Sequence, residues 1–129
     1  MARPASGRPT DFELKVLKIL WDRGPCTVRE VHAELANEGP IGVTTALKMM
    51  QVMRDKGLLK CDTQQRPQLF RATRKRQTVL KSLAGDLLQR AFDGSTHTFL
   101  LHALSAKQCS PAELTEIREL IDQHERNQQ

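Results

Sequence analysis

The residues with the clearest chemical purpose lie between Val43 and Arg71. Thr44, Thr45, Lys48 and Gln51 recur at helical spacing and point away from Ala46, Met50 and Met53, which with Leu47 form the apolar side of the same helix. Hydroxyls, an amide and an ammonium on one helical face suit the edges of base pairs. Threonine donates, accepts and offers a methyl to thymine, and lysine reaches the acceptors of guanine. Around them stand Arg54, Lys56, Lys60, Arg66 and Arg71, cations of the kind that hold backbone phosphates. Three of them have a structural alternative: Thr44 as a helix cap, Lys56 as a solvated lysine beside the helix end, Arg71 as a partner within its own sheet. The DNA-binding set read from the sequence is Thr44, Thr45, Lys48, Gln51, Arg54, Lys56 and Arg66.

Other chemistries find little support. The chain has no glycine-rich phosphate loop, no H-E-x-x-H pair and no cysteine with an evident histidine partner. His97 and His102 are five apart, off the spacing that puts two metal ligands on one helical face. Cys26, Cys61 and Cys109 are odd in number and widely separated, which argues against a disulfide framework. No catalytic residue, metal or cofactor is expected.

The elements that position the reading face follow from local signals. Thr10-Asp11-Phe12-Glu13 is a capping-box pattern that opens a helix to about Arg23, with Val16, Ile19, Leu20 and Trp21 in the core and Gly24-Pro25 as its stop. Thr27-Val28-Arg29-Glu30 is a second box, opening a helix to about Asn37. After a turn at Asn37–Pro40 comes the reading helix, closed by Gly57 in the left-handed conformation. Leu58–Cys61 and Gln68–Arg71 read as two short strands around a polar turn that carries Arg66. Two short helices, a tight turn and a hairpin are the outline of a winged helix-turn-helix.

From Thr73 the pattern becomes wholly helical. One stripe runs through Val79, Leu80, Leu83, Leu87 and Phe92, and Ser95–Ser105 forms a short apolar helix with Phe99 and Leu104. Ser110-Pro111-Ala112-Glu113 is a third box, before a helix bearing Leu114, Ile117, Leu120 and Ile121. These stripes have no large partner within the chain, so a second copy is the simplest cover. Leu80, Leu83, Leu87, Phe99, Leu104, Leu114, Ile117 and Ile121 are therefore expected at a dimer interface. The fold class is mainly α with a small β-hairpin wing: a winged helix-turn-helix followed by an α-helical dimerisation region. The expected divisions are an arm over 1–9, the DNA-binding domain over 10–73 and the dimerisation region over 74–129.

Charge follows the same division. Residues 1–76 carry 15 Lys and Arg against 8 Asp and Glu, a balance of +7, whereas residues 77–129 carry 5 against 7, a balance of −2. A basic front half suits a polyanion there and not behind it. No signal peptide or membrane span is legible, so a cytoplasmic location without membrane insertion is expected.

Four stretches make the chain resemble the penicillinase-repressor family of bacterial transcriptional regulators: E-L-K-V-L-K-I-L-W at 13–21, T-V-R-E-V at 27–31, V-T-T-A-L-K-M-M-Q-V-M-R-D-K-G-L-L at 43–59, and F-D-G-S at 92–95 with S-P-A-E-L at 110–114. The third is the most specific. The resemblance implies repression by a homodimer bound to double-stranded, palindromic operator DNA, with base contacts at Thr44, Thr45 and Lys48 and a wing contact at Arg66. It also implies a partner, the membrane-bound metalloprotease sensor that cuts the β-lactam-responsive members. The family's Asn-Phe cleavage bond aligns with His102-Ala103, a different dipeptide within a similar apolar helix. Leu14 replaces a tryptophan found in many members, and the paired C-terminal cysteines of copper-responsive members are absent. The alternative function class is a winged-helix module that binds protein or RNA without reading DNA sequence.

Overall fold

The computed structural model describes residues 8–128. The element order is α1 (Asp11–Arg23), α2 (Val28–Leu35), α3 (Val43–Asp55), β1 (Leu59–Asp62), β2 (Leu69–Ala72), α4 (Arg76–Phe92), α5 (Thr96–Ala106) and α6 (Pro111–Asn127). The described residues up to Gly85 form one compact unit and those from Asp86 a second. The winged helix and the helical C-terminal region expected from the sequence are both present; most of the expected arm, residues 1–7, lies outside the described residues.

In the first unit, two complete capping boxes start α1 and α2. Thr10 Oγ1 accepts the Glu13 amide at 3.1 Å while Glu13 returns a bond to the Thr10 amide at 3.0 Å, and Thr27 and Glu30 do the same at 3.2 and 2.8 Å. Each box satisfies amides that a helix start would otherwise leave open. The core is built where the three helices meet the hairpin: Val16, Leu17 and Leu20 from α1, Val31 and Leu35 from α2, Ala46, Met50 and Met53 from α3, with Leu59 and Phe70 from the strands. Trp21 lies at the rim of this core rather than within it. It is half-buried, its indole N–H donates to the Arg74 carbonyl at 3.0 Å, and the Arg76 guanidinium sits 5.7 Å from its ring centroid.

The two strands pair antiparallel, with Lys60 opposite Arg71 and Cys61 opposite Phe70. Each begins one residue later than the sequence suggests. For β1 the reason is the closure of α3: the Leu58 amide donates back to the Met53 carbonyl at 2.9 Å across Gly57, whose φ is +85°, so Leu58 reaches the sheet only through its carbonyl, which accepts the Thr73 amide at 3.0 Å. A further piece of sheet escapes the sequence reading. Cys26, between α1 and α2, exchanges two backbone bonds with Phe70, at 3.0 and 2.8 Å, and is buried. Burial pushes its thiol pKa up, which keeps it protonated and inert.

In the second unit, Asp93 and Gly94 take positive φ to turn the chain between α4 and α5. Ser95 caps α5 by accepting the Thr98 amide at 3.1 Å, and the Phe92 and Phe99 rings meet at 5.1 Å. Ser110 caps α6 through the Glu113 amide at 3.1 Å, with Pro111 opening the helix; only this forward half of the expected third box forms. Neither α5 nor α6 has a buried residue.

Candidate nucleic-acid interface

The surface that could meet DNA is built around α3. Its N-cap is Gly42, with no side-chain capping bond, so Thr44 is free of the capping role open to it in sequence. Thr44, Thr45 and Lys48 are exposed and Gln51 is half-buried. Thr44, Lys48 and Gln51 succeed one another at i, i+4 and i+7, one strip along the helix, with Thr45 on its flank. Arg54 lies on the far flank, beside the core-facing side, and its Nε is 3.6 Å from Asp55. It does not share the strip.

The strip is held by what lies beneath and before it. Ala46, Met50 and Met53 are fully buried, which fixes the rotation of α3 about its axis. The turn that feeds it is tied at His32, whose Nε2 donates to the Ile41 carbonyl at 2.6 Å. Ion pairs fasten α2 and the following turn to α1: Arg23 meets Glu34 at 3.0 Å and Glu30 at 3.5 Å, and Lys15 meets Glu38 at 3.3 Å. Such exposed pairs add little energy singly, but they restrict how the second helix can swing.

At the C-terminal end of α3, Lys56 is committed elsewhere. Its ammonium donates to Glu13 Oε2 at 2.7 Å. Burial raises the Glu13 carboxyl, but the hydrogen bonds from Lys56 and the Thr10 amide and the Lys56 charge outweigh it, holding the pKa below its ordinary value. A lysine that neutralises a buried carboxylate is a strut between α1 and α3 before it is a phosphate ligand. The sequence placed it in the DNA-binding set because the partner stands 43 residues away.

The wing comes to the strip from the side. Pro67 and Gln68 line one groove with Val43 and Leu47 of α3 and with Thr27, Val28 and Arg29 at the start of α2. Arg66, the next residue along the wing, is exposed and has no ion pair among the described residues. Arg29 is the residue that sequence reasoning missed. It is exposed, likewise without an ion pair, and borders the same groove. Its signal was a cation in the first turn of a helix, where the macrodipole disfavours it.

The expected dimer residues lie on the α4–α6 helices with much of their surface open: Leu80, Leu87, Leu104 and Ile121 are exposed, and Leu83, Phe99, Leu114 and Ile117 are half-buried. Leu100, Leu101 and Leu120 are exposed as well. His102 and Ala103 are exposed within α5, the His102 ring 5.9 Å from that of Phe92. Among the described residues no helix is long and apolar enough to cross a membrane, and no three His, Cys, Asp or Glu side chains are grouped to hold a metal ion.

Three helices with a hairpin wing, a polar strip on the third helix and cations beside it define a winged-helix DNA-binding regulator. The model of the family described as penicillinase repressor matches residues 9–123. The chain is also 23% identical over 115 residues to a penicillinase repressor of Bacillus licheniformis, an alignment covering 89% of this chain and 90% of the other. The chain belongs to the penicillinase-repressor family, whose members are DNA-binding regulators of transcription and not enzymes.

Proposed function

We propose that the chain represses transcription as a homodimer that reads a palindromic operator, one half-site for each copy of α3. The observation that carries this is the strip of Thr44, Lys48 and Gln51, outward on a helix whose other side is locked in the core, with the wing's Arg66 alongside. In this reading Thr44, Thr45 and Lys48 meet base edges, and Arg29 and Arg66 meet phosphates. Residues 10–73 read DNA, and 74–129 bring two copies together at half-sites about 10 bp apart or a multiple of that.

Release by cleavage at His102-Ala103 belongs to the same reading. The bond lies inside α5, and a protease takes its substrate extended, so cutting requires α5 to open locally first.

One observation favours the alternative of a protein-binding module: Met49 and Val52, on α3, are 36% and 48% exposed. Lys48→Ala separates the two. It should weaken binding to a duplex selected by the wild-type protein from a random pool by about 1–3 kcal/mol and leave sedimentation of the free protein unchanged. Unaltered affinity would show that the strip does not read DNA.

A further inference from the structure

Away from the reading strip, the outward face of the hairpin breaks an ordinary electrostatic rule. Lys60 and Arg71 are directly opposed in the ladder and both are exposed, while Leu59 and Phe70 on the other face are buried. Like charges directly opposite each other on paired strands destabilise the pair. No ion pair among the described residues offsets this pair. Neither cation has an ion pair; Asp62, the acid on the same face, uses Oδ1 to accept the Gln64 amide at 2.9 Å, and Asp22 is taken by Arg76.

The crowding continues along the chain. Arg71, Arg74 and Lys75 line one cleft with Trp21, Gly24 and Pro25. The Trp21 indole N–H grips the Arg74 carbonyl at 3.0 Å, so this segment is pinned where it leaves the sheet. Arg74, Lys75 and Arg76 also stand at the start of α4, the end of the macrodipole that repels cations. Two independent local preferences are thus set aside at one patch, and a polyanion laid across it satisfies both.

We infer that Lys60, Arg71, Arg74 and Lys75 form a second contact with the DNA backbone, separate from the reading strip and from Arg66. The inference rests on the DNA-binding reading above and extends it to base pairs beyond those read. Lys60 and Arg71 stand two residues back from Asp62 and Leu69, the pair nearest the wing turn, a displacement of roughly 7 Å along the strands. Arg74 and Lys75 follow Arg71 in the chain, so the cations extend away from the wing tip, and they take phosphates flanking the half-site.

The test uses the full chain and the duplex that the wild-type protein selects from a random pool, in a long form and trimmed to the base pairs whose sequence is selected. Replacing both Lys60→Gln and Arg71→Gln should flatten the dependence of log affinity on log salt by about 1.8, two contacts at ~0.9 each. Trimming should weaken binding by the wild type more than binding by the variant, which keeps only Arg74 and Lys75 for the flanking phosphates. The variant should also melt no lower than the wild type, because it loses a repulsion and no bond. An unchanged salt slope with an unchanged response to trimming overturns the inference. A lowered melting temperature overturns it too, since Arg71 would then be serving the sheet. So does weaker self-association without a change in the salt slope, which assigns the patch to the acidic half of a second copy. Lys48→Ala run in parallel tells the two levels apart: if it has no effect or no duplex is selected, the DNA reading itself fails and this inference falls with it.

Discussion

Glu13 joins two jobs in one side chain. One carboxylate oxygen closes the capping box of α1 and the other receives Lys56 from the end of α3, so the start of the first helix is tied to the end of the reading helix. The box was legible because its partners are three residues apart; the ion pair was not, because only folding brings Lys56 to Glu13. A Glu13→Gln replacement keeps an acceptor for the Thr10 amide and removes both the charge and the oxygen that accepts from Lys56. It should lower stability in urea at neutral pH by ~1–2 kcal/mol, less than for a fully buried pair because Lys56 remains partly in water. The folded pKa of Glu13 is depressed, so the wild-type advantage is present above the ordinary carboxylate range and is lost as pH falls through the folded value. Wild type and variant should therefore converge in acid. A gap that stays constant with pH would mean that the charge of Glu13 contributes nothing.

The elements show which signals were local and which were not. Helix starts at Thr10, Thr27 and Ser110, and the stop at Gly57, depend on a few neighbouring residues and were legible. The first residue of β1 depends on where the Leu58 amide goes, and the Cys26–Phe70 bridge on an encounter between distant segments with no periodicity of its own. The face of α3 was legible in Thr44 and Lys48, since alternation with Ala46, Met50 and Met53 set its rotation. Arg54 was read as a phosphate ligand beside that face, and the helix places it on the flank opposite Thr45. Gly57 is where element geometry can be tested. A Cβ added there meets no atom within 4 Å, so Gly57→Ala is opposed by the positive φ alone. The expected loss is about 1–2 kcal/mol in chemical denaturation. A much larger loss would indicate that the hairpin itself had been displaced.

For the molecule as a whole, the apolar residues of the second unit bear most directly on assembly. Leu87, Leu101, Leu104, Leu120 and Ile121 are 47%, 54%, 42%, 64% and 48% exposed, and no residue of α5 or α6 is buried. Helices in this condition gain stability chiefly by burying their stripes, at ~25 cal/mol for each Å² of apolar surface covered. The basic half of the chain would repel its own copy, so the less charged half, with a balance of −2, is the one suited to self-association. Replacing both Leu120→Glu and Ile121→Glu alters side chains already largely in water, so a single copy should keep its helical circular dichroism. The expected result is a dimer for the wild type and a monomer for the variant in sedimentation at micromolar concentration. Affinity for a single half-site should be unchanged, while affinity for the palindrome falls towards that of the half-site. A variant that still sediments as a dimer would move the interface off the C-terminal end of the stripes. A wild type that is monomeric at these concentrations would leave the exposed leucines of α5 and α6 without the partner argued for them.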